Sequence, residues 1–248
     1  MTLLVTRPEP DNEMTAAALR AKGLEVLLSP MLRFEQVAFD VDPEARYGAV
    51  VVTSANALRA LAGHAARESL LELPVFAVGE HTADAARQAG FRDVVAAGGD
   101  AAALRDLMVK NVRAKTLTKT ATVLYLAGAD LSRDLAGELG DRGFDVVTAT
   151  SYRMTPVPNL SREVCDAFAA HRIAAVLHYS RRSARAFLEA VRIGGVEISA
   201  LAILQCCISD AVASILRDAG APRVAVAQVP DENALFEVLD RALRPLSR

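Results

Sequence analysis

The two halves of this chain repeat one another in sequence. Residues 17–26, Ala-Ala-Leu-Arg-Ala-Lys-Gly-Leu-Glu-Val, line up with residues 137–146, Gly-Glu-Leu-Gly-Asp-Arg-Gly-Phe-Asp-Val. Continuing without a gap, Leu32-Arg33-Phe34 falls on Tyr152-Arg153-Met154. Further on, Val52-Thr53-Ser54-Ala55-Asn56-Ala57 matches His178-Tyr179-Ser180-Arg181-Arg182-Ser183, and the stretch from Gly79 to Gly90 matches that from Ser209 to Gly220. Gly99-Asp100 ahead of Ala103-Leu104 then matches Pro230-Asp231 ahead of Ala234-Leu235. Generic regularity gives single matches but not an ordered series, so the chain is one half-unit written twice. Two related halves predict two similar lobes with a cleft between them.

Within each half, short Val/Leu/Ile runs alternate with helical patterns. Strands are expected at Leu3–Thr6, Glu25–Leu28, Ala49–Thr53, Val75–Val78, Asp93–Ala96, Thr122–Ala127, Asp145–Thr148, Ala174–Tyr179, Ala202–Cys207 and Arg223–Ala227. Between them, Asn12–Lys22, Ala55–Ala62, Thr82–Ala89 and Ser183–Arg192 carry apolar residues at helical spacing. Strands that are continuously apolar rather than alternating belong in a parallel sheet covered on both faces by helices. Gly23, Gly90, Gly143 and Gly220 each follow a polar last turn and stand where a left-handed residue ends a helix. The class is therefore α/β with parallel sheets. Residues 31–42 and 151–160 carry few helix signals, and Pro156 and Pro158 would break a helix in the second. Both read as extended connectors between the lobes.

Composition narrows the function by exclusion. A 248-residue chain with 52% hydrophobic and 23% charged residues folds, and has room for two domains. Its net charge of −2 gives no electrostatic footprint for nucleic acid. No apolar run reaches the roughly 18 residues of a membrane span, and Met1–Pro8 enters a strand pattern without a signal peptide's core, so the expected location is the cytoplasm. Cys165, Cys206 and Cys207 form no Cys-x-x-Cys pair and have no histidine at ligand spacing, which leaves metal chemistry without support. No Gly-x-Gly-x-x-Gly follows the first strand, where Thr6-Arg7-Pro8-Glu9-Pro10 stands, and no phosphate-binding Gly-x-x-x-x-Gly-Lys appears.

What the strand ends do offer is hydroxyls, backbone amides and arginines. Thr53 and Ser54 stand where a strand gives way to a helix, as does Ser180 in the second half. Hydroxyls there cap the helix, and the N–H groups beside them can bind an anion. Capping alone explains each position taken singly; recurrence in both halves points to a shared binding role. Gly79 with Thr82, and Ser209 in the second half, add donors at the same carboxyl edge, where open α/β sheets bind their ligands. Arg7, Arg181 and Arg182 supply planar, bidentate cations suited to carboxylates. Arg181 and Arg182 stand at a helix start, where the dipole disfavours cations unless an anion visits; a solvated helix end fits them equally. Tyr152 is the aromatic proton donor on a connector, and reads either as an acid or as a packing residue at a domain junction.

Taken together, Leu4-Val5-Thr6-Arg7-Pro8, Val51-Val52-Thr53-Ser54-Ala55-Asn56-Ala57, Phe76-Ala77-Val78-Gly79-Glu80-His81-Thr82-Ala83 and Tyr152-Arg153 resemble, in order and spacing, the uroporphyrinogen-III synthases. The resemblance implies two similar flavodoxin-like parallel-sheet lobes joined by a two-stranded linker. Residues 1–34 with 157–248 would form one lobe, 46–148 the other, and 35–45 and 149–156 the linker strands. It implies a reaction without metal or organic cofactor. Linear hydroxymethylbilane loses its hydroxyl to give an azafulvene, its last pyrrole is inverted through a spiro intermediate, and the ring closes to uroporphyrinogen III. Tyr152 would assist departure of the hydroxyl. Thr53, Ser54, Gly79 and Thr82 would line one wall of the site, and Arg7, Ser180 and Ser209 the other, with Arg181 and Arg182 as substituted contacts. The family further implies a monomer that receives its polycarboxylate substrate from the preceding synthase, with no nucleic-acid or membrane partner. The residues alone also fit a non-catalytic two-lobed protein that binds a small anion or regulates.

Overall fold

The computed structural model describes residues 1–99, 101–113, 122–131 and 133–243; Asp100, the acid of the last repeat match, lies outside them. In chain order, the first part forms β1 (Thr2–Val5), α1 (Asp11–Ala21), β2 (Glu25–Leu28), β3 (Leu32–Gln36), β4 (Tyr47–Val52), α2 (Ala55–Leu61), α3 (Arg67–Leu71) and β5 (Val75–Ala77). The middle forms α4 (Glu80–Ala89), β6 (Val94–Ala96), α5 (Ala101–Arg113), β7 (Thr122–Gly128), α6 (Leu135–Gly140) and β8 (Asp145–Pro156). The last part forms α7 (Arg162–Ala169), β9 (Ile173–His178), α8 (Arg181–Ile193), α9 (Glu197–Ala202), β10 (Leu204–Cys207), α10 (Asp210–Asp218), β11 (Val224–Val226) and α11 (Glu232–Leu243). Among the described residues no helix is long and apolar enough to cross a membrane.

The chain divides into two compact units, Met1–Arg33 with Thr155–Arg248, and Phe34–Met154. The first holds a parallel sheet in the order β2-β1-β9-β10-β11. Counted within the unit this is 2-1-3-4-5, the flavodoxin-like arrangement. The second holds the parallel order β8-β7-β4-β5-β6, with β3 flanking β8. Under the sequence repeat, β7 stands for β1, β8 for β2, β4 for β9, β5 for β10 and β6 for β11, so the two orders are the same. Even a surface detail recurs. Thr2 faces Glu25 and donates to its carboxylate at 2.8 Å, while Thr122 faces Asp145 and donates at 2.7 Å. With β3 left aside, each sheet therefore takes two strands from one copy of the repeat and three from the other.

The strand expected at Asp145–Thr148 and the extended segment after it form one strand, β8, of 12 residues from Asp145 to Pro156. β-branched residues hold it extended, and the neighbouring chain supplies partners: Val37 N–H donates to Ser151 O at 2.9 Å, and Val157 N–H to Met31 O at 3.0 Å.

Alternation along the central strands splits the core of the second unit into two layers. Val50, Val52, Leu124 and Leu126 face α2 and α4, through Leu58, Leu61, Ala83 and Ala86. Ala49, Val51, Val123 and Tyr125 face α5 and α6, through Leu104, Met108, Leu135 and Leu139. The helices after β4 and β5 thus cover one face and those after β6 and β7 the other. The crossover lies between the neighbours β4 and β7, and leaves a crevice at their carboxyl ends. In the first unit Leu19 of α1 and Leu235 and Leu239 of α11 cover one face, which puts the corresponding crossover between β1 and β9. Helix ends repeat as well. Gly90 (φ 108°) ends α4 with the Phe91 N–H on Ala86 O, and Gly220 (φ 90°) ends α10 with the Ala221 N–H on Leu216 O. Both are left-handed caps that a side chain would strain.

On the other face of the first sheet, His178 is fully buried beside Phe187, ring centroids 5.0 Å apart and edge-on. Gln205 donates through Nε2 to Ala200 O at 2.7 Å, so its Oε1 is the acceptor for His178 Nε2 at 2.9 Å. That network assigns the proton to Nε2. Nδ1 has no hydrogen-bond partner among the described residues, and burial pushes the imidazole down to about 4.

Candidate active site

The crevice between β4 and β7 in the second unit holds a cavity of about 280 Å³. β4 ends at Val52, and the next two residues turn toward the helix. Ser54 is extended (φ −154°, ψ 145°) and caps α2, its Oγ accepting from the Asn56 N–H at 3.2 Å. Thr53 is half-buried, with Oγ1 3.2 Å from the Tyr125 hydroxyl of β7. Burial raises the Tyr125 pKa and keeps it a neutral phenol. Tyr152, from β8, stacks on Phe34 with ring centroids 5.9 Å apart. Its ring lies against Gly128: a methyl there would come within 2.7 Å of Cζ and 2.9 Å of Oη. Thr53, Ser54, Tyr125, Gly128 and Tyr152 all line the cavity. At its mouth, Arg133 and Arg105 both bind the Glu138 carboxylate, which holds that carboxyl below its ordinary value, the Arg133 hydrogen bond chief among the causes.

Gly79 and Thr82 sit beside this cavity rather than on it. Gly79 is the extended residue (φ −162°) that starts α4, and Thr82 is buried within that helix; Val78 is the lining residue of that loop.

In the first unit, Ser180 caps α8, accepting from the Ser183 N–H at 3.0 Å, and Ser209 precedes α10 in extended conformation without using its hydroxyl as a cap. Arg181 is exposed and Arg182 half-buried on the first turn of α8. Arg7 is committed elsewhere. Its guanidinium binds Asp11 at 2.9 Å and Glu232 at 3.1 Å and lies 4.9 Å from the Tyr179 ring centre. Glu232 Oε1 also accepts from the Tyr179 hydroxyl at 3.0 Å and from Thr15. The repeat equates Tyr179 with Thr53, Asp11 with Leu131, Thr15 with Leu135 and Glu232 with Ala101. Those four counterparts all line the cavity of the second unit. One crossover crevice thus opens into a cavity, and the corresponding residues of the other are joined by an ion-pair network. Replacing Glu232 with alanine takes the acceptor from the Tyr179 hydroxyl, while Arg7 keeps Asp11 and Thr15 keeps the Asp11 carbonyl; we expect a loss of about 2 kcal/mol in urea unfolding, and Glu232→Gln to lose less.

The comparison with protein families decides among the readings of this geometry. A model described as uroporphyrinogen-III synthase HemD matches residues 13–237. The chain belongs to the uroporphyrinogen-III synthase family. Its activity is that of a cyclising lyase of tetrapyrrole biosynthesis, acting on hydroxymethylbilane. Among solved structures, the uroporphyrinogen-III synthetase of Helicobacter pylori is 19% identical, with a TM-score of 0.66 over 98% of this chain and 99% of that one. A mutant uroporphyrinogen III synthase of Thermus thermophilus is 17% identical, with a TM-score of 0.56 over 98% of each chain. At these identities the likeness is one of fold. Comparison with curated proteins gives no match.

For a uroporphyrinogen-III synthase the cavity brings together Thr53, Ser54 and Tyr152, which the sequence had singled out, with Tyr125 and Gly128, which it had not. A tyrosine within Val-Leu-Tyr-Leu-Ala reads as core. The one signal for it was its repeat counterpart Val5, since a valine changed to a tyrosine on a buried strand brings a hydroxyl that needs a partner.

Proposed function

We propose that the cavity at the β4–β7 crossover holds the reacting end of hydroxymethylbilane, with Tyr152 as the proton donor. The observation that carries this is the convergence of Thr53, Ser54 and Tyr152 on one pocket in a chain of this family. As the hydroxymethyl C–O bond breaks, the Tyr152 phenol gives its proton to the departing oxygen, which leaves as water. The adjacent pyrrole nitrogen supplies the electron pair, and as its N–H proton passes to the phenolate the azafulvene is left and the phenol restored. Attack by the substituted carbon of the last pyrrole forms the spiro intermediate, and reopening and closure deliver the inverted ring. The bilane closes unaided to the uninverted isomer, so the protein's contribution is conformational: it holds the chain folded for attack at the substituted position and assists departure of water. Thr53, the N–H groups at the start of α2 and the uncapped Ser209 are donors for substrate carboxylates. Ser180, Gly79, Thr82, Arg181 and Arg182 are further candidates. Arg7 is the weakest, because two carboxylates already hold it. Cytoplasmic location, action as a monomer and direct handover from the preceding synthase belong to the same proposal, the last two resting on the family resemblance.

The test is a coupled assay. Hydroxymethylbilane is generated in situ, the purified chain is added without cofactor, and the oxidised products are separated into isomers I and III. Excess isomer III over the protein-free control supports the assignment; isomer I alone from a folded sample rejects it. In the same assay Thr53→Ala and Ser54→Ala each raise KM about fivefold, the size of one lost hydrogen bond, with little change in kcat. Unaltered KM would leave both as strand-end and cap residues.

A further inference from the structure

Tyr125 is a buried polar group to which the mechanism above assigns no role. It stands at 2% exposure on the central strand β7, where the matching position of the other unit is Val5. Valine satisfies a strand covered on both faces, whereas a tyrosine brings a hydroxyl that must be partnered. That hydroxyl lies at the cavity wall, 3.2 Å from Thr53 Oγ1, on the strand next to the one that leads into Thr53. The first unit also places a tyrosine hydroxyl at its crossover, that of Tyr179, but there it is consumed by Glu232 at 3.0 Å. In the second unit Ala101 stands where Glu232 would be, and the Tyr125 hydroxyl is set beside Thr53.

We infer that Tyr125 is a positioning residue: its phenol donates to Thr53 Oγ1, turning the threonine's own proton into the cavity toward a carboxylate of the substrate. A threonine hydroxyl has one proton and can point it along any of its rotamers. A donor fixed behind the oxygen removes one of those choices and polarises the remaining O–H, so the two hydroxyls act as a relay of hydrogen-bond direction with no proton transferred. Burial keeps the phenol protonated, and hence a donor, across the working pH range. The inference rests on the assignment of the cavity to substrate binding.

The experiment is a double-mutant cycle in the coupled assay, reading KM and kcat for isomer III with wild type, Tyr125→Phe, Thr53→Val and the double variant. Tyr125→Phe is expected to raise KM about fivefold with kcat within about a factor of two. In the Thr53→Val background, Tyr125→Phe should add nothing, because there is no hydroxyl left to orient. Thr53→Ser, which keeps the hydroxyl, should remain as sensitive to Tyr125→Phe as the wild type. Equal effects of Tyr125→Phe with and without the Thr53 hydroxyl, or no effect in the wild type, overturn the inference while isomer III formation by the wild type still supports the cavity's assignment. A Tyr125→Phe protein that does not fold overturns it too, by giving the hydroxyl to structure instead of the site. If the wild type itself makes no isomer III, the functional assignment fails, and the role of Tyr125 in it fails with it.

Discussion

Tyr152→Phe lowers kcat for isomer III about a hundredfold while KM stays within roughly a factor of three, the lower range for loss of a general acid. Phenylalanine keeps the stack on Phe34 and the contact with Gly128, so only the proton donor is lost. The lower range applies because ionisation of the hydroxymethyl group is already assisted by the pyrrole nitrogen. Gly128→Ala is expected to reach the same defect from the other side. A methyl 2.7 Å from Cζ and 2.9 Å from Oη cannot coexist with the ring where it lies, and Gly128 is strand backbone at the end of β7 that cannot easily yield. The ring must swing, carrying its hydroxyl away from the substrate. Combining the two changes should cost little more than either alone, since both act through one phenol. Full turnover in Tyr152→Phe would remove Tyr152 as the acid; full turnover in Gly128→Ala would show that the ring's position does not matter.

The second large effect is on stability and concerns His178. Its folded-state value of about 4 lies below the ordinary 6.5, so between these values the unfolded chain binds a proton that the folded one refuses. Stability is therefore fully present above about pH 6.5 and lost as the pH falls toward 4, by about 3 kcal/mol in all. Below that, both states are protonated and this contribution changes no further. Urea unfolding of wild type and His178→Leu at about pH 7.5 and about pH 4.5 isolates the effect, because carboxylate contributions are common to both. The variant should be less stable at the higher pH, having left Gln205 Oε1 without its donor, yet show a shallower decline. Parallel declines would rule out His178 as the source.

Much of the fold could be read from local pattern. The Val- and Leu-rich runs became β1, β4, β7 and β9, the four glycines read as helix ends all have positive φ, and Ser54 caps its helix. What local pattern cannot carry is pairing between distant segments. β1 lies against β9, with the Thr6 hydroxyl on Leu177 O at 2.8 Å across 171 residues, and nothing in either strand names the other. Arg7 shows the same limit at the level of a site residue. Its partner Glu232 is 225 positions away, so a guanidinium at a strand end looked available for a ligand when it was already neutralised. Tyr125 and Gly128 were invisible for a different reason: a phenol and a missing Cβ gain meaning only when β4 and β8 bring Thr53 and Tyr152 alongside.

The sharing of strands between the two copies of the repeat bears on how the polypeptide matures as it leaves the ribosome. β4 through the first part of β8 are contiguous in the chain, so their sheet can assemble while synthesis is still under way. β1 and β2 are made first, yet β1 cannot meet β9 until roughly 145 more residues have been added, a delay of roughly 7 to 30 s at ordinary elongation rates. For that interval Leu3, Leu4 and Val5, which end at 0% exposure, have β2 alone to pair with, and the edge that β9 will take stays open. An apolar strand edge left open for that long is where a chaperone would do most for this enzyme's yield.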